Sequence, residues 1–255
     1  MESDEGITVN VDGAVVSIVI DRPGRLNSLT TAALDAMAEA IIGADRPDVE
    51  VVVLTGAGRA FCTGADLGSD VDAATVAAAN RLMTAIGEIE PPVIAGVHGA
   101  VAGVGVSIAL ACDLVIAAES TFLLLPFLGI GLVPDGGATH AVHTRAGRNL
   151  AARMAFGGER IPAELAQQWH LLGEVVPDDE LEMRVAAVVD RILDAPRSAA
   201  VATKRLLRAA ETGALQASLE REITAQSVLL GSEEYRRARD GFLQKQPVRF
   251  RTHPV

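Results

Sequence analysis

The segment Thr55-Gly-Ala-Gly-Arg-Ala-Phe-Cys-Thr-Gly-Ala-Asp66 follows directly on the β-branched run Val49-Glu-Val-Val-Val-Leu54. A buried strand that ends in a glycine-rich turn can bring bare backbone N–H groups close to a ligand, because glycine removes the side chain that would block the approach. Gly99-Ala-Val-Ala-Gly-Val-Gly105 has the same character and runs into an apolar helical stretch. Two such turns converging on one point could hold a developing oxyanion between backbone donors. The other chemistry-bearing residues carry less. Cys62 has no acid–histidine partner in view and reads as a small packed hydrophobe. His140 and His143 have a spacing compatible with metal binding but no third ligand, so helix surface is expected and no metal. His98, at a strand end, reads as a satisfied core or loop group. Asp66 is expected to fix its turn or cap the next helix, and Asp113 to order local backbone. Gly103-Val-Gly105 lacks the third glycine and the later acid of a dinucleotide-binding loop.

The chain has 255 residues, of which 49% are hydrophobic and 22% charged. That is enough for one large domain, or a core with an appendage. Aromatic residues make up 3%, so packing must rely on Ala, Val, Leu and Ile. A net charge of −11 argues against a nucleic-acid partner, since phosphate binding needs a basic surface. It leaves room for a small anionic ligand held by a few basic side chains. Two cysteines in apolar surroundings, Cys62 and Cys112, point to a reducing, cytosolic setting. Residues 1–6 are acidic and lack the pattern of a signal peptide. No apolar run reaches the roughly 20 residues that span a bilayer, so no membrane insertion is expected; the run Leu123–Leu128 is broken by Pro126.

The elements that must position the two turns follow from periodicity. Ile7–Val11 and Ala14–Ile20, joined through Asp12-Gly13, predict a hairpin. Thr30 or Thr31 is placed to cap a helix carrying Leu34, Met37 and Ile41 and ending at Gly43. Val51–Leu54, Pro92–Val97 and Leu114–Ala117 read as strands. A helix presents Val76, Ala79, Met83 and Ile86, and another begins near Val106. Alternating strands, turns and helices predict an α/β layered core. After about residue 140 helices dominate: Leu181, Val185, Val188 and Ile192 share one face, as do Leu215, Leu219, Ile223, Gln226 and Leu230. No repeat of fixed period is visible.

The ordered set of motifs resembles the crotonase superfamily, also called the enoyl-CoA hydratase/isomerase family. It comprises Arg22-Pro-Gly-Arg-Leu-Asn-Ser-Leu29, Leu54 to Leu67, Ala111-Cys-Asp-Leu-Val-Ile-Ala-Ala-Glu119, Ile130-Gly-Leu-Val-Pro-Asp-Gly-Gly137, and Pro196 with Thr203-Lys204. The resemblance implies a spiral of repeated ββα units over residues 1–194. It assigns residues 195–255 to a helical region that mediates trimers or dimers of trimers and covers the coenzyme A pocket. It implies an acyl-CoA thioester ligand, with coenzyme A as part of the substrate and no separate cofactor. The thioester oxygen would sit between the N–H groups of Ala65 and Val104. Glycine is common in the family where Val104 stands; a backbone donor tolerates any residue except proline, and the branched side chain would narrow the acyl pocket. Substrate contacts are expected from Arg25, Leu26, Thr63, Gly64, Asp66, Leu67, Gly103 and Phe127. Arg22, Arg25, Lys204, Lys245 and Arg249 could meet the phosphates, each against the plainer role of solvated surface.

Family hydratases use two glutamates, and the matching positions here are Ser107 and Phe127. Neither exchanges a proton with substrate near neutral pH, which argues against the usual two-carboxylate hydration. Asp135 matches the aspartate of family members that shift a double bond with a single acid. Its plain alternative is to cap the helix beginning near Gly136. The expected function is therefore isomerisation of a 3-enoyl-CoA to the 2-enoyl form. The alternatives are hydration, hydrolysis or dehalogenation with Asp135 as nucleophile, and non-catalytic acyl-CoA binding.

Overall fold

A computed structural model of the chain describes residues 2–69, 71–210, 212–246 and 248–250. The expectations that fall on Met1 and on residues 251–255 lie outside them. The chain opens with antiparallel strands β1 (Glu2–Asp4), β2 (Ile7–Asp12) and β3 (Val15–Ile20). Asp12 pairs with Val15, so the loop of the second hairpin is Gly13-Ala14, one residue later than the Asp12-Gly13 pattern predicts. Helix α1 (Thr31–Gly43) starts where Thr30 accepts a hydrogen bond from the Ala33 N–H at 3.1 Å. It buries Leu34, Met37 and Ile41 completely, each such burial favouring the fold by about 1.5–3 kcal/mol.

The middle of the chain repeats one pattern three times. A long strand, a short strand and a helix follow each other as β4 (Val51–Gly56), β5 (Ala60–Cys62) and α2 (Ala73–Glu88). They recur as β6 (Val93–Val97), β7 (Ala100–Ala102) and α3 (Val104–Ala111). The third round is β8 (Leu114–Ala118), β9 (Phe122–Leu124), a 3-10 turn at Phe127–Ile130, and α4 (Ala138–Ala146). Then come α5 (Arg148–Gly157), β10 (Ile161–Pro162), α6 (Ala163–Gln168), β11 (Glu174–Val176) and α7 (Leu181–Leu193). The chain closes with α8 (Arg197–Ala209), α9 (Thr212–Leu230) and α10 (Glu233–Leu243).

The long strands belong to a seven-stranded sheet of order β1-β2-β3-β4-β6-β8-β11, parallel from β3 onward. The short ones form a second sheet of order β10-β9-β7-β5, in which β5, β7 and β9 are parallel. This is the ββα spiral that the sequence resemblance implies. The second sheet escapes periodicity analysis because strands of two or three residues show no alternation to read. The large core lies between the sheets and helices α1 to α4. A smaller apolar layer, Val185, Val188 and Val189 of α7 against Val51, Ile94 and Ile116, covers the other face of the large sheet.

The C-terminal helices pack back on the core: α9 on α2 and α4, α10 on the 3-10 turn. Lys204 of α8, read as a possible phosphate contact or else as solvated surface, is buried instead. Its Nζ donates to the carbonyls of Ile86 at 3.0 Å and Pro91 at 2.8 Å and pairs with Asp113 at 3.0 Å. Asp113 also accepts from the Val93 N–H at 2.8 Å and from Arg208 at 3.2 Å. The backbone-ordering role expected of Asp113 thus extends to fastening α8.

Candidate active site

The three short parallel strands end side by side, and each carboxyl end feeds a site segment. β5 leads into Thr63-Gly64-Ala65, β7 into Gly103-Val104, and β9 through Pro126 and Phe127 towards Asp135. The carboxyl ends of parallel strands are the usual ligand-binding edge of an α/β sheet. The first two segments touch. A Cβ on Gly64 would lie 3.2 Å from the Ala102 carbonyl and 3.7 Å from the Val104 nitrogen, and one on Gly103 would lie 3.3 Å from the Gly64 Cα. Both glycines have positive φ, +101° and +56°, a backbone region that penalises a side chain.

Leu29 bridges to the Ala65 segment through Leu29 N–H to the Gly64 carbonyl (2.8 Å) and Asp66 N–H to the Leu29 carbonyl (2.8 Å). Backbone groups alternate in direction along an extended segment, so the N–H of Ala65 faces away from Leu29. The N–H of Val104 opens α3, which begins two residues before the expected Val106. As a first-turn donor it has no partner within the helix, and the helix dipole favours negative charge there.

All the residues expected to contact substrate (Arg25, Leu26, Thr63, Gly64, Asp66, Leu67, Gly103 and Phe127) line one cavity of about 570 Å³, together with Ala65, Val104 and Asp135. Phe122 and Leu124 share its wall, whereas Leu123 and Leu125 point into the core. The loop that carries Arg25 and Leu26 is fixed by Asn27, fully buried, whose amide donates to the carbonyls of Ala57 at 2.8 Å and Ala60 at 2.7 Å. Leu26 itself sits at φ +52° and accepts from the Thr63 hydroxyl at 3.0 Å. Asp66 fixes its turn, pairing with Arg22 at 3.2 Å and accepting from the Gly68 N–H at 3.1 Å; the cap of α2 is Asp72. Arg22 is thereby engaged within the protein, while Arg25 stays exposed at the cavity. Lys245 and Arg249 are exposed and lie outside its wall.

Asp135 does not cap α4. That helix starts after Gly137, with no side-chain cap. Asp135 is buried, 8% of the residue being exposed. Its Oδ2 accepts from the Gln226 amide at 2.9 Å, and its Oδ1 has no hydrogen-bond partner among the described residues. Burial pushes its pKa up to about 7; the Gln226 donor opposes this and the charge of Glu222 adds to it. Ser107 is also buried, and its hydroxyl donates to the Asp135 carbonyl at 2.7 Å.

The remaining candidates fall outside the cavity. The Cys62 thiol is buried with its pKa pushed up to about 12, which makes it unreactive. His98 bonds the Gly58 carbonyl at 2.9 Å. His143 is exposed, but His140 is half-buried with an enclosed Nε2 that has no partner among the described residues, against the surface position expected of it. No group of three or more potential metal ligands occurs among the described residues. Nor is any helix among them long and apolar enough to cross a membrane. Among the cavity residues to which the sequence reading gave no site role are Gln226, Arg160, and Phe242 and Leu243 of α10. For Gln226 the signal was present, as one amide on an otherwise apolar helix face.

Comparison with known proteins agrees with this fold. Residues 10–253 match the family described as enoyl-CoA hydratase/isomerase. A probable enoyl-CoA hydratase of Rhodobacter capsulatus is 35% identical over 96% of this chain and 97% of its own. The 1,2-epoxyphenylacetyl-CoA isomerase of Escherichia coli K12 is 32% identical over 96% and 98%. The crystal structure of an enoyl-CoA hydratase from Mycobacterium avium subsp. paratuberculosis K-10 superposes with a TM-score of 0.91 at 42% identity, covering 96% of this chain and 98% of that one. The chain therefore belongs to the enoyl-CoA hydratase/isomerase family.

Proposed function

We propose that the protein isomerises a 3-enoyl-CoA to the 2-enoyl thioester, with Asp135 as the single proton carrier. The observation that carries this is that Asp135, a buried carboxyl with one oxygen unpartnered among the described residues, lines the same cavity as Ala65 and Val104. The ionised Asp135 takes a proton from the α-carbon. The C–H electron pair moves into a dienolate whose oxygen is held by the two N–H groups. Asp135 then returns the proton to the γ-carbon, and the double bond comes to rest between the α- and β-carbons. The reaction consumes no water and requires no cofactor beyond the coenzyme A of the substrate. A pKa near 7 suits a group that must both accept and donate a proton near neutral pH.

Hydration is the second reading, favoured by the names of the Rhodobacter and Mycobacterium proteins. Against it, Ser107 is committed to the Asp135 carbonyl, and Phe127 presents a hydrocarbon ring to the cavity. We also propose that the protein is a homotrimer or a dimer of trimers in a reducing, cytosolic compartment. Supporting this are two unpaired cysteines and large exposed apolar side chains on the C-terminal helices.

The test supplies 3-enoyl-CoA and, separately, 2-enoyl-CoA in water. Turnover of the first is expected, falling by about 10³-fold or more in Asp135→Asn. Unchanged turnover by that variant, or rapid hydration of the second substrate, overturns the proposal.

A further inference from the structure

The segment around Asp135 has little means of holding itself. Gly136 and Gly137 follow it with φ of +62° and +83°, and α4 begins only at Ala138. Its conformation is imposed from outside, and most of the contacts come from one face of α9. Gln226, 1% exposed, accepts from the Val133 N–H at 3.0 Å and donates to Asp135 Oδ2 at 2.9 Å. This settles which way its amide points, because the flipped amide would oppose two donors at Val133 and two acceptors at Asp135. One turn earlier, Glu222 accepts from the Gly137 N–H at 2.6 Å and the Thr139 N–H at 3.2 Å, using both carboxylate oxygens. The hydroxyls of Thr139 and Ser218 also donate to it. Alternate residues 133, 135, 137 and 139 are thus gripped by two side chains four positions apart on a single helix.

We propose that Gln226 and Glu222 are positioning residues, a clamp on α9 that tethers Oδ2 of Asp135 and leaves Oδ1 turned to the substrate to carry the migrating proton. The inference rests on Asp135 being the proton carrier of the isomerisation proposed above. A clamp of this kind sets orientation and proton affinity together. The Gln226 donor favours the charged carboxylate, whereas the charge of Glu222 disfavours it; burial raises the pKa of Glu222 itself, and the donors on both its oxygens act against that. Other groups near Asp135 do not share this arrangement. The faces of α2, α3 and α10 turned to the cavity contribute Thr75, Val76, Ala79, Val104, Phe242 and Leu243, none ionisable near neutral pH. Arg25, Asp66 and Arg160 share the cavity wall. His140, Arg145 and Arg208 surround a separate small cavity behind Gly136.

The two halves of the clamp predict opposite effects, which a scaffolding role alone would not produce. Protein labelled with ¹³C at aspartate carboxyls is titrated by NMR, with Asp135→Asn assigning the resonance. Gln226→Met keeps the side-chain length and removes the donor, so the Asp135 midpoint is expected to rise by about one pH unit. Glu222→Gln removes the charge, so it is expected to fall by about one unit. In the isomerase assay at pH 7, Gln226→Met should lower kcat about fivefold and leave KM near the wild-type value. Midpoints that stay at the wild-type value, or move in the same direction, overturn the clamp. Should Glu222→Gln not fold, Gln226→Met decides alone, and an unmoved or lowered midpoint overturns it. Failure of the isomerase reading shows separately, as a wild type that does not turn over 3-enoyl-CoA or an Asp135→Asn variant that does; the carboxyl titration still decides the clamp.

Discussion

At the scale of the residue, a carboxyl held above its ordinary range carries a cost that depends on pH. The folded protein binds the Asp135 proton more tightly than the unfolded chain, with a pKa of about 7 against 3.8. Its contribution to stability is therefore complete below about pH 4 and lost as pH rises through about 7, a swing of at most about 4 kcal/mol. Asp135→Asn removes the swing. In urea unfolding the variant should match the wild type near pH 4 and exceed it at pH 8; parallel pH dependence of the two proteins would rule this out. Ala65, Val104 and Asp135 were legible in the sequence because each sits in a continuous glycine-containing motif. Lys204 was misread for a physical reason. A lysine on an amphipathic helix is ordinarily solvated, and what buries this one is a set of partners at Ile86, Pro91 and Asp113, far off in the chain.

At the scale of the element, the site is a product of repetition. Each ββα round ends a short strand at the same edge, so successive rounds deliver the Ala65 turn, the start of α3 and the approach to Asp135 to neighbouring places. The long strands and helices were readable by hydrophobic periodicity. The two- and three-residue strands were not, although they align the two N–H groups. Helix α8 is held to the ends of these rounds by the Lys204–Asp113 pair, with side-chain exposures of 3% and 17%. Burial lowers the lysine pKa and Asp113 acts against this. The ammonium is buried, and a hydrogen bond from a charged group commonly contributes about 1.5–3 kcal/mol. Lys204→Ala is expected to lose about that much in chemical denaturation. A loss below about 1 kcal/mol, the range of surface pairs, would contradict the fastening role.

At the scale of the whole molecule, the C-terminal helices face two ways. Inward, α9 and α10 bring Gln226, Phe242 and Leu243 to the cavity. Outward, Leu206 and Leu207 of α8 and Val228 of α9 are 75%, 66% and 74% exposed. Side chains of this kind favour burial against another subunit. Light scattering coupled to size exclusion is expected to give the mass of three or six chains, and Val228→Asp with Leu206→Asp to reduce it; a monomeric wild type would contradict the proposed assembly. Composition made a large core legible and the alternation of strands and helices made it α/β, but neither showed the reach of its last helices into the cavity, because that depends on contacts spanning a third of the chain. The same distance has a consequence in time. Gln226 lies 91 residues beyond Asp135 and Glu222 lies 85 residues beyond Gly137. At the usual pace of synthesis the ribosome needs about 5–20 s to add such a stretch. Throughout that interval the nascent chain already holds both glycine turns and Asp135, while the α9 residues proposed to aim its carboxyl are still to be made; the proposed oxyanion cradle is older than the clamp that serves it.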